Sequence, residues 1–443
     1  MSWLSARTKA GLCTGDRRPV RGIANLSKIA LLVLFLAALA FRLYLATVPG
    51  YEDDTTHFKW WTRLVTQEGL SQAYSGTYPQ TYAIYPPLMM FFLKAVGHLY
   101  QGLFSSSFAL DAPQLGFMIK GLGIVFELLT WVVIFIWVRK WKGPRTAALA
   151  ALGFALNPAI IFDVAYWGQP DTIHSFFLLL SVLLLADRRP AVAWASLAAA
   201  AFVKPQAWVF LPLAASVTLW QYGPKGLARG AAAGAGVSLA LVAPFLLHGT
   251  FAQLMTLPRE IYGAMPVLSA NAHNIWWLYT QGPPMLPDDG RVWLLGQRNT
   301  GLLLLAVFYG YSLWRLRGRL EQSHILATAA FLGFIFFMLP TRVHENHSFM
   351  LFPLLAVAMA GDTRLRWIFG VLSLTFLANL ALHDPPLAAR LWTDAAAPYW
   401  QPLQVANSLV NTVVLVAWGV VLAVGTGGDQ AGKEAAVPGS IPT

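Results

Sequence analysis

Charge is what this chain has least of. Only 12% of its 443 residues are Asp, Glu, Lys or Arg, whereas a soluble domain carries roughly a quarter. Water is therefore not its main solvent. Cysteine is nearly absent as well: Cys13 stands alone, which excludes a disulfide framework or a cysteine metal site within the chain. No G-x-x-x-x-G-K-[S/T] loop occurs, and no glycine fingerprint sits between a strand and a helix. The phosphate cradles of nucleotide enzymes are thus missing. The net charge is +11, which on a soluble protein would raise nucleic acid as a partner. Here the positives fall in short loops between apolar runs, where they set membrane orientation. No nucleic-acid partner is expected.

What the chain has in abundance is apolar sequence, 57% of all residues. Twelve runs approach or reach the roughly 17–25 residues of a bilayer-spanning helix: 29–41, 117–138, 146–161, 173–186, 191–203, 206–220, 230–247, 300–314, 325–339, 349–360, 367–382 and 405–424. Basic segments alternate with them. These are the N-terminal tail (Lys9, Arg17, Arg18, Arg21, Lys28), Arg139-Lys140-Trp141-Lys142, Asp187-Arg188-Arg189, 225–229, 315–319 and 364–366. The positive-inside rule places all of them in the cytoplasm. The expectation is an all-α polytopic membrane protein of about 11–13 transmembrane helices. It has a cytoplasmic basic tail (1–28), a single transmembrane domain (29–424) and a disordered tail rich in Gly, Ala and Pro (425–443). The tail and first run are too long for most signal peptides, so the first span is expected to stay uncleaved. Segment 88–104 carries Lys94 and His98. Were it to cross, the RKWK loop would fall outside. It is therefore expected as an interfacial or re-entrant helix within one long external loop, 49–115.

This threading brings the polar clusters to one, external, face, where ionisable residues are functional candidates. Glu52-Asp53-Asp54 heads a segment with Phe58, Trp61, Leu64 and Val65 at helical spacing. The acids either stabilise that helix start or supply a general base. Asp163, Tyr166, Trp167, Gln169 and Asp171 crowd one span end. An aromatic belt explains the rings, and an N-cap would explain Asp171. Lys204-Pro205-Gln206 interrupts an apolar stretch, and its lysine either snorkels or meets an anion in a cavity. The densest cluster, Pro340 to His347, is either an ordinary polar turn or, through Arg342 and His344, a seat for a lipid phosphate. His344, Glu345 and His347 match no strong zinc spacing.

These motifs, in order, resemble the GT-C superfamily of multi-spanning glycosyltransferases. They are similar to its bacterial members related to the eukaryotic enzymes that use dolichyl-phosphate mannose or glucose. The resemblance rests on Asp54 followed by Phe58-Lys59 and Trp61; Tyr85-Pro86-Pro87-Leu88; Lys120 and Glu127; Asn157-Pro158-Ala159; Trp167-Gly168-Gln169-Pro170-Asp171; Lys204-Pro205-Gln206; Asn271-Ala272-His273-Asn274-Ile275-Trp276; and Thr341-Arg342-Val343-His344-Glu345. The chain departs from the family pattern at His273, usually an aromatic, and at Asn346-His347, commonly Arg-Tyr in bacterial members. The resemblance implies an inverting hexosyltransferase, mannose first. Its donor would be a polyprenyl-phosphate sugar and its acceptor a glycan, lipid or protein hydroxyl, at the external face of the inner or plasma membrane. It implies Asp54 as catalytic base, with Asp53 as the alternative, and Arg342, His344 and Lys204 on the donor phosphate. Glu345, His273, Asn274, Gln169, Asp171 and Tyr85 are the implied substrate-binding residues, and no metal or other cofactor is implied. Two other classes would suit the same polar spans. One is a flippase or secondary transporter, against which no internal repeat is visible. The other is a glycan ligase or polymerase, which would need a diphosphate-linked donor.

Overall fold

The computed structural model describes residues 21–75, 83–282, 285–391 and 397–424. Residues 1–20 of the basic tail, with Cys13, and the tail from Gly425 lie outside the described residues. Helices dominate in chain order: α1 (Arg21–Ala46), α2 (Glu52–Gln67), α3 (Pro87–Leu103), α4 (Pro113–Lys142), α5 (Pro144–Ala155), α6 (Pro158–Ile161), α7 (Asp171–Ala186), α8 (Pro190–Val203) and α9 (Leu211–Leu247). There follow α10 (Phe251–Ala264), α11 (Ile275–Thr280), α12 (Gln297–Leu316), α13 (Gln322–Met338), α14 (Leu351–Ala358), α15 (Leu365–Ala381), α16 (Pro385–Leu391) and α17 (Ala397–Val424). Among the described residues, one hairpin of two-residue strands, Arg291–Val292 with Leu295–Gly296, is the strand content.

Among the described residues, Ile29–Ala46, Pro113–Lys142, Pro205–Leu247 and Tyr399–Val424 are each long and apolar enough to cross a bilayer. Pro144–Ala155 with Pro158–Trp167 makes a fifth stretch, bent by 45°. The apolar run 146–161 is thus two helices, because Asn157 caps the second by accepting from Ala159 N. Continuation past Leu156 is also disfavoured by Pro158. Helix α9 breaks at Gly223, whose φ of 65° no helix tolerates, just before Pro224. It therefore consists of two helical pieces, 211–222 and 224–247. Shorter apolar helices, α7, α8, α13 and α15, complete the bundle. Of these, α13 is enclosed by its neighbours: nearly every side chain from Ile325 to Met338 is buried.

Contacts define the two ends of this bundle. At one end, Trp141 packs against Gly361 and Ser323 lies beside it, while Tyr222 OH donates to Arg188 O at 2.8 Å. The basic loops therefore gather together. At the other end the α2 head, residues 166–171, Lys204 and the 344–348 turn converge. Helix α3 packs along α2, with Gly97 against Thr66, and the chain re-enters at Gly116 beside Lys59. Within the spans, Arg42 and Glu127 form a fully buried pair, with Arg42 Nε donating to both carboxylate oxygens at 2.9 Å. Arg42 also donates to Ala38 O and Ala155 O, at 3.0 and 2.6 Å. That pair ties α1 to α4 and α5, because lone ionised groups at that depth are costly.

Candidate functional site

The α2 head is held in place from below. Lys120, on α4, donates to Val48 O at 2.8 Å, Tyr166 O at 2.6 Å and Ala165 O at 3.3 Å. It thereby fastens the α1–α2 connection to the end of the 162–167 turn. Tyr51 N donates to Trp167 O at 3.2 Å, and the two rings lie 5.1 Å apart. This 162–167 turn is a π-helix closed by Gly168 in the left-handed region, and such turns are frequent at functional sites. The neighbouring Asp384 accepts from Trp167 Nε1 at 2.6 Å and from Tyr166 OH at 3.2 Å.

Three acids occupy the first turn of α2, and the structure separates them. Glu52 and Asp53 are exposed, while Asp54 is half-buried and points inward. Gln169 Nε2 donates to Asp54 Oδ2. Burial pushes the Asp54 carboxyl above its ordinary value, opposed by the Gln169 hydrogen bond and the Lys204 charge. A base so placed is stronger than a surface aspartate yet is still held toward its ionised form. Of the two sequence candidates, only Asp54 reaches the interior of the site.

Asp171 and Lys204 meet in the same chamber, Nζ donating to Oδ1 at 2.5 Å. The other Asp171 oxygen accepts from Asn346 Nδ2 at 2.9 Å. Pro170, not Asp171, occupies the N-cap of α7, so the capping role considered from sequence does not apply. Lys204 also lies 5.7 Å from the centroid of the Tyr85 ring. Tyr85 sits against Phe58 and Trp61, each at 5.5 Å, and burial raises its phenol well above the usual tyrosine range.

The 344–348 turn is pinned on several sides. His344 N donates to His347 Nδ1 at 3.3 Å, and His347 Nε2 lies 2.8 Å from Gln206 Nε2. His344 bridges to Ala270 and Asn271. Burial takes the His344 imidazole down to about 4, aided by Lys204. Glu345 is half-buried, and burial pushes its carboxyl up to about 8, with the Asp54 charge adding to the rise and Lys204 opposing it. The His344 and His347 side chains each accept from the other's backbone N–H, and among the described residues no metal-holding group of three or more acids, histidines or cysteines forms.

The remaining expected residues have other occupations. Arg342 is spent on Asp288, Nε to Oδ2 at 2.7 Å and Nη2 to Oδ1 at 3.0 Å. It also donates to Tyr262 O at 2.8 Å and stacks on that ring at 4.5 Å. Arg342 and Thr341 hold the Asp288 carboxyl below its ordinary value, although burial alone would raise it. Asn274 caps α11, accepting from Trp276 N and Trp277 N at 3.0 and 3.2 Å. His273 is fully buried, its Nε2 3.1 Å from His383 Nε2 and its Nδ1 accepting from Asn407 Nδ2 at 2.8 Å. Burial takes His383 down to about 4, consistent with two neutral rings. Asp288, His383 and Asp384 had no sequence signal, for each acts through a residue distant in the chain.

No family model matches the sequence, and no curated protein matches it. Solved structures do. ArnT from Cupriavidus metallidurans bound to undecaprenyl phosphate matches with a TM-score of 0.50 at 15% identity, over 94% of this chain and 79% of that one. The apo state of ArnT gives 0.47 at 15%, over 89% and 77%. The Archaeoglobus fulgidus oligosaccharyltransferase tethered to an acceptor peptide gives 0.41 at 12%, over 89% of this chain and 55% of that one. The chain is an all-α multi-pass membrane protein whose fold is similar to that of ArnT.

Proposed function

We propose that this protein is an inverting glycosyltransferase that moves a hexose, mannose first, from a polyprenyl-phosphate sugar to an acceptor hydroxyl. The acceptor is a glycan, lipid or protein, and the reaction takes place at the external face of the inner or plasma membrane, with the N-terminus in the cytoplasm. The observation that carries the reading is Asp54, the inward carboxylate of α2, gripped by Gln169 in a chamber shared with Lys204 and Glu345. Support also comes from the fold it shares with ArnT, a structure of which holds undecaprenyl phosphate.

In this reaction Asp54 removes the acceptor hydroxyl proton as the oxygen attacks the anomeric carbon, and polyprenyl phosphate leaves from the opposite side. Charge on the leaving phosphate needs fixed donors, usually the largest catalytic contribution. Lys204 has two ammonium protons beyond the one given to Asp171, and neutral His344 offers an N–H. Arg342 would join them only by releasing Asp288. For a monophosphate-linked donor this reading calls for no metal. The test is Asp54→Asn in the purified full chain, offered a panel of undecaprenyl-phosphate sugars and, separately, diphosphate-linked ones. The variant should keep its thermal unfolding temperature and lose about 10²–10⁴-fold in transfer. Undiminished turnover by the variant would remove Asp54 from the mechanism. Consumption of diphosphate donors alone would make the protein a glycan ligase or polymerase.

A further inference from the structure

We propose that Glu345 is the general acid of this transfer, delivering a proton to the phosphate oxygen as it departs from the anomeric carbon. The inference rests on the transferase reading and adds to it a second group that exchanges a proton.

The geometry begins with the turn. The two residues after Glu345 are occupied: Asn346 on Asp171 at 2.9 Å, and His347 on Gln206 at 2.8 Å and on the His344 amide at 3.3 Å. The segment before it is fixed by Ala270 N donating to Val343 O at 2.9 Å. Glu345 is therefore rigidly placed, yet among the described residues only its own backbone N–H hydrogen-bonds its carboxyl. A held carboxyl group with no side-chain partner, between an anchored asparagine and an anchored histidine, is poised for something that is not protein.

Its surroundings come from every element of the chamber. Asp54 and Tyr51 face it from α2, and Asp171 and Lys204 from the α7 head and the end of α8. Asp163 lies on the π-helical turn, with both carboxylate oxygens buried and unpartnered. Acids outnumber the single ammonium, and Asp171 already claims that ammonium. Burial, with the Asp54 and Asp171 charges adding to it, keeps the proton on Glu345 near neutral pH, up to about 8. Burial raises the Asp54 carboxyl too, but there the Gln169 hydrogen bond and the Lys204 charge oppose the rise. A carboxyl held by a donor beside another that has no side-chain partner is an arrangement that can divide base from acid in one site.

The proton count closes. The acceptor O–H proton passes to Asp54, and the oxygen lone pair forms the new bond to the anomeric carbon. The carbon–phosphate oxygen bond breaks with its electron pair on oxygen, and Glu345 gives that oxygen its proton. The cycle leaves Asp54 protonated and Glu345 ionised, and a proton passing from the first to the second through water restores both. No co-reactant is needed.

The experiment is the pH profile of kcat/KM, which reports groups of the free enzyme. It is measured for the wild-type full chain, Glu345→Gln and Glu345→Asp, with the undecaprenyl-phosphate sugar that the wild type consumes. Wild type should lose activity above about pH 8, where Glu345 ionises. Glu345→Gln should fall by ~10²-fold or more at neutral pH and show no alkaline limb, while Glu345→Asp should regain part of the rate together with a limb. Near wild-type turnover by Glu345→Gln, or a retained alkaline limb in it, overturns the proposal. Should Glu345→Gln not fold, a Glu345→Asp protein lacking any alkaline limb overturns it instead. A wild type that consumes no donor in the panel is a different result, which refutes the transferase reading itself.

Discussion

Asp171 and Lys204 are exposed by only 1% and 4% of their surfaces, so neither charge has water to fall back on. Breaking such a pair from one side leaves the other charge uncompensated, which costs about 3–5 kcal/mol. Asp171→Ala and Lys204→Ala should each lower the thermal unfolding temperature in detergent substantially. The Asp171→Leu/Lys204→Met double variant should unfold well above the level expected from summing the single losses. Additive losses would mean that the two do not act as a pair. Sequence reading found both residues, because charges at a span end stand out against apolar neighbours. It could not find their pairing, since the partner of each lies on a different helix. The same limit hid Asp288: Arg342 looked ready for a phosphate because nothing nearby in sequence claims its guanidinium. At Asn274, the cap bonds of α11 are local and could have been read from Asn followed by Ile275-Trp276-Trp277. The substrate-binding role of Asn274 was implied by the resemblance alone.

Helix α2 depends on a short connection that leaves no room for a side chain. A Cβ on Gly50 would come within 2.7 Å of Trp167 O, 2.8 Å of Tyr166 O and 2.8 Å of Lys120 Nζ, at a φ of +87°. Gly69, after the same helix, has a φ of +100° with nothing within 4 Å, so it isolates the backbone strain from the crowding. Gly69→Ala, at φ 100° and ψ 161°, should cost only the ~1–3 kcal/mol of a non-glycine residue held in a backbone region that glycine alone visits freely. Gly50→Ala should cost clearly more stability and reduce transfer further still, because it pushes apart the Lys120 fastening that positions Asp54. Equal effects of the two substitutions, read by thermal unfolding and turnover, would show that the fastening does not matter. At this scale the sequence was most legible where composition alone decides, in long apolar runs between charges. It was least legible at breaks. The split at Asn157 and the π-helical turn after it follow from capping and tertiary hydrogen bonds, which leave the apolar run of 146–161 looking continuous.

The whole molecule is polar at both ends, but the two ends differ in kind. One gathers Arg139, Lys140, Arg188 and the 361–366 turn, exposed and mostly basic; the other gathers buried acids with the buried lysines Lys120 and Lys204. Positive loops remain in the cytoplasm, so the chamber of Asp54 and Glu345 should open to the opposite side. The exposed positions Asp53 and Asp289 stand at the chamber end, and Lys140 and Arg188 at the basic end. With Cys13 replaced by Ser, cysteines introduced singly at 53 and 289 should react with a membrane-impermeant maleimide in intact cells. Those at 140 and 188 should react only after permeabilisation. The geometry makes this more than a check on orientation. Asn346 reaches Asp171 directly, at 2.9 Å, and Gln169, two residues before it, grips Asp54. The head of α2 and the late 344–348 turn are thus joined through one short segment, and no rigid bundle could present them to different compartments. Labelling of 53 and 289 from opposite sides would therefore contradict the packing and, with it, any reaction that uses Asp54 and Glu345 together.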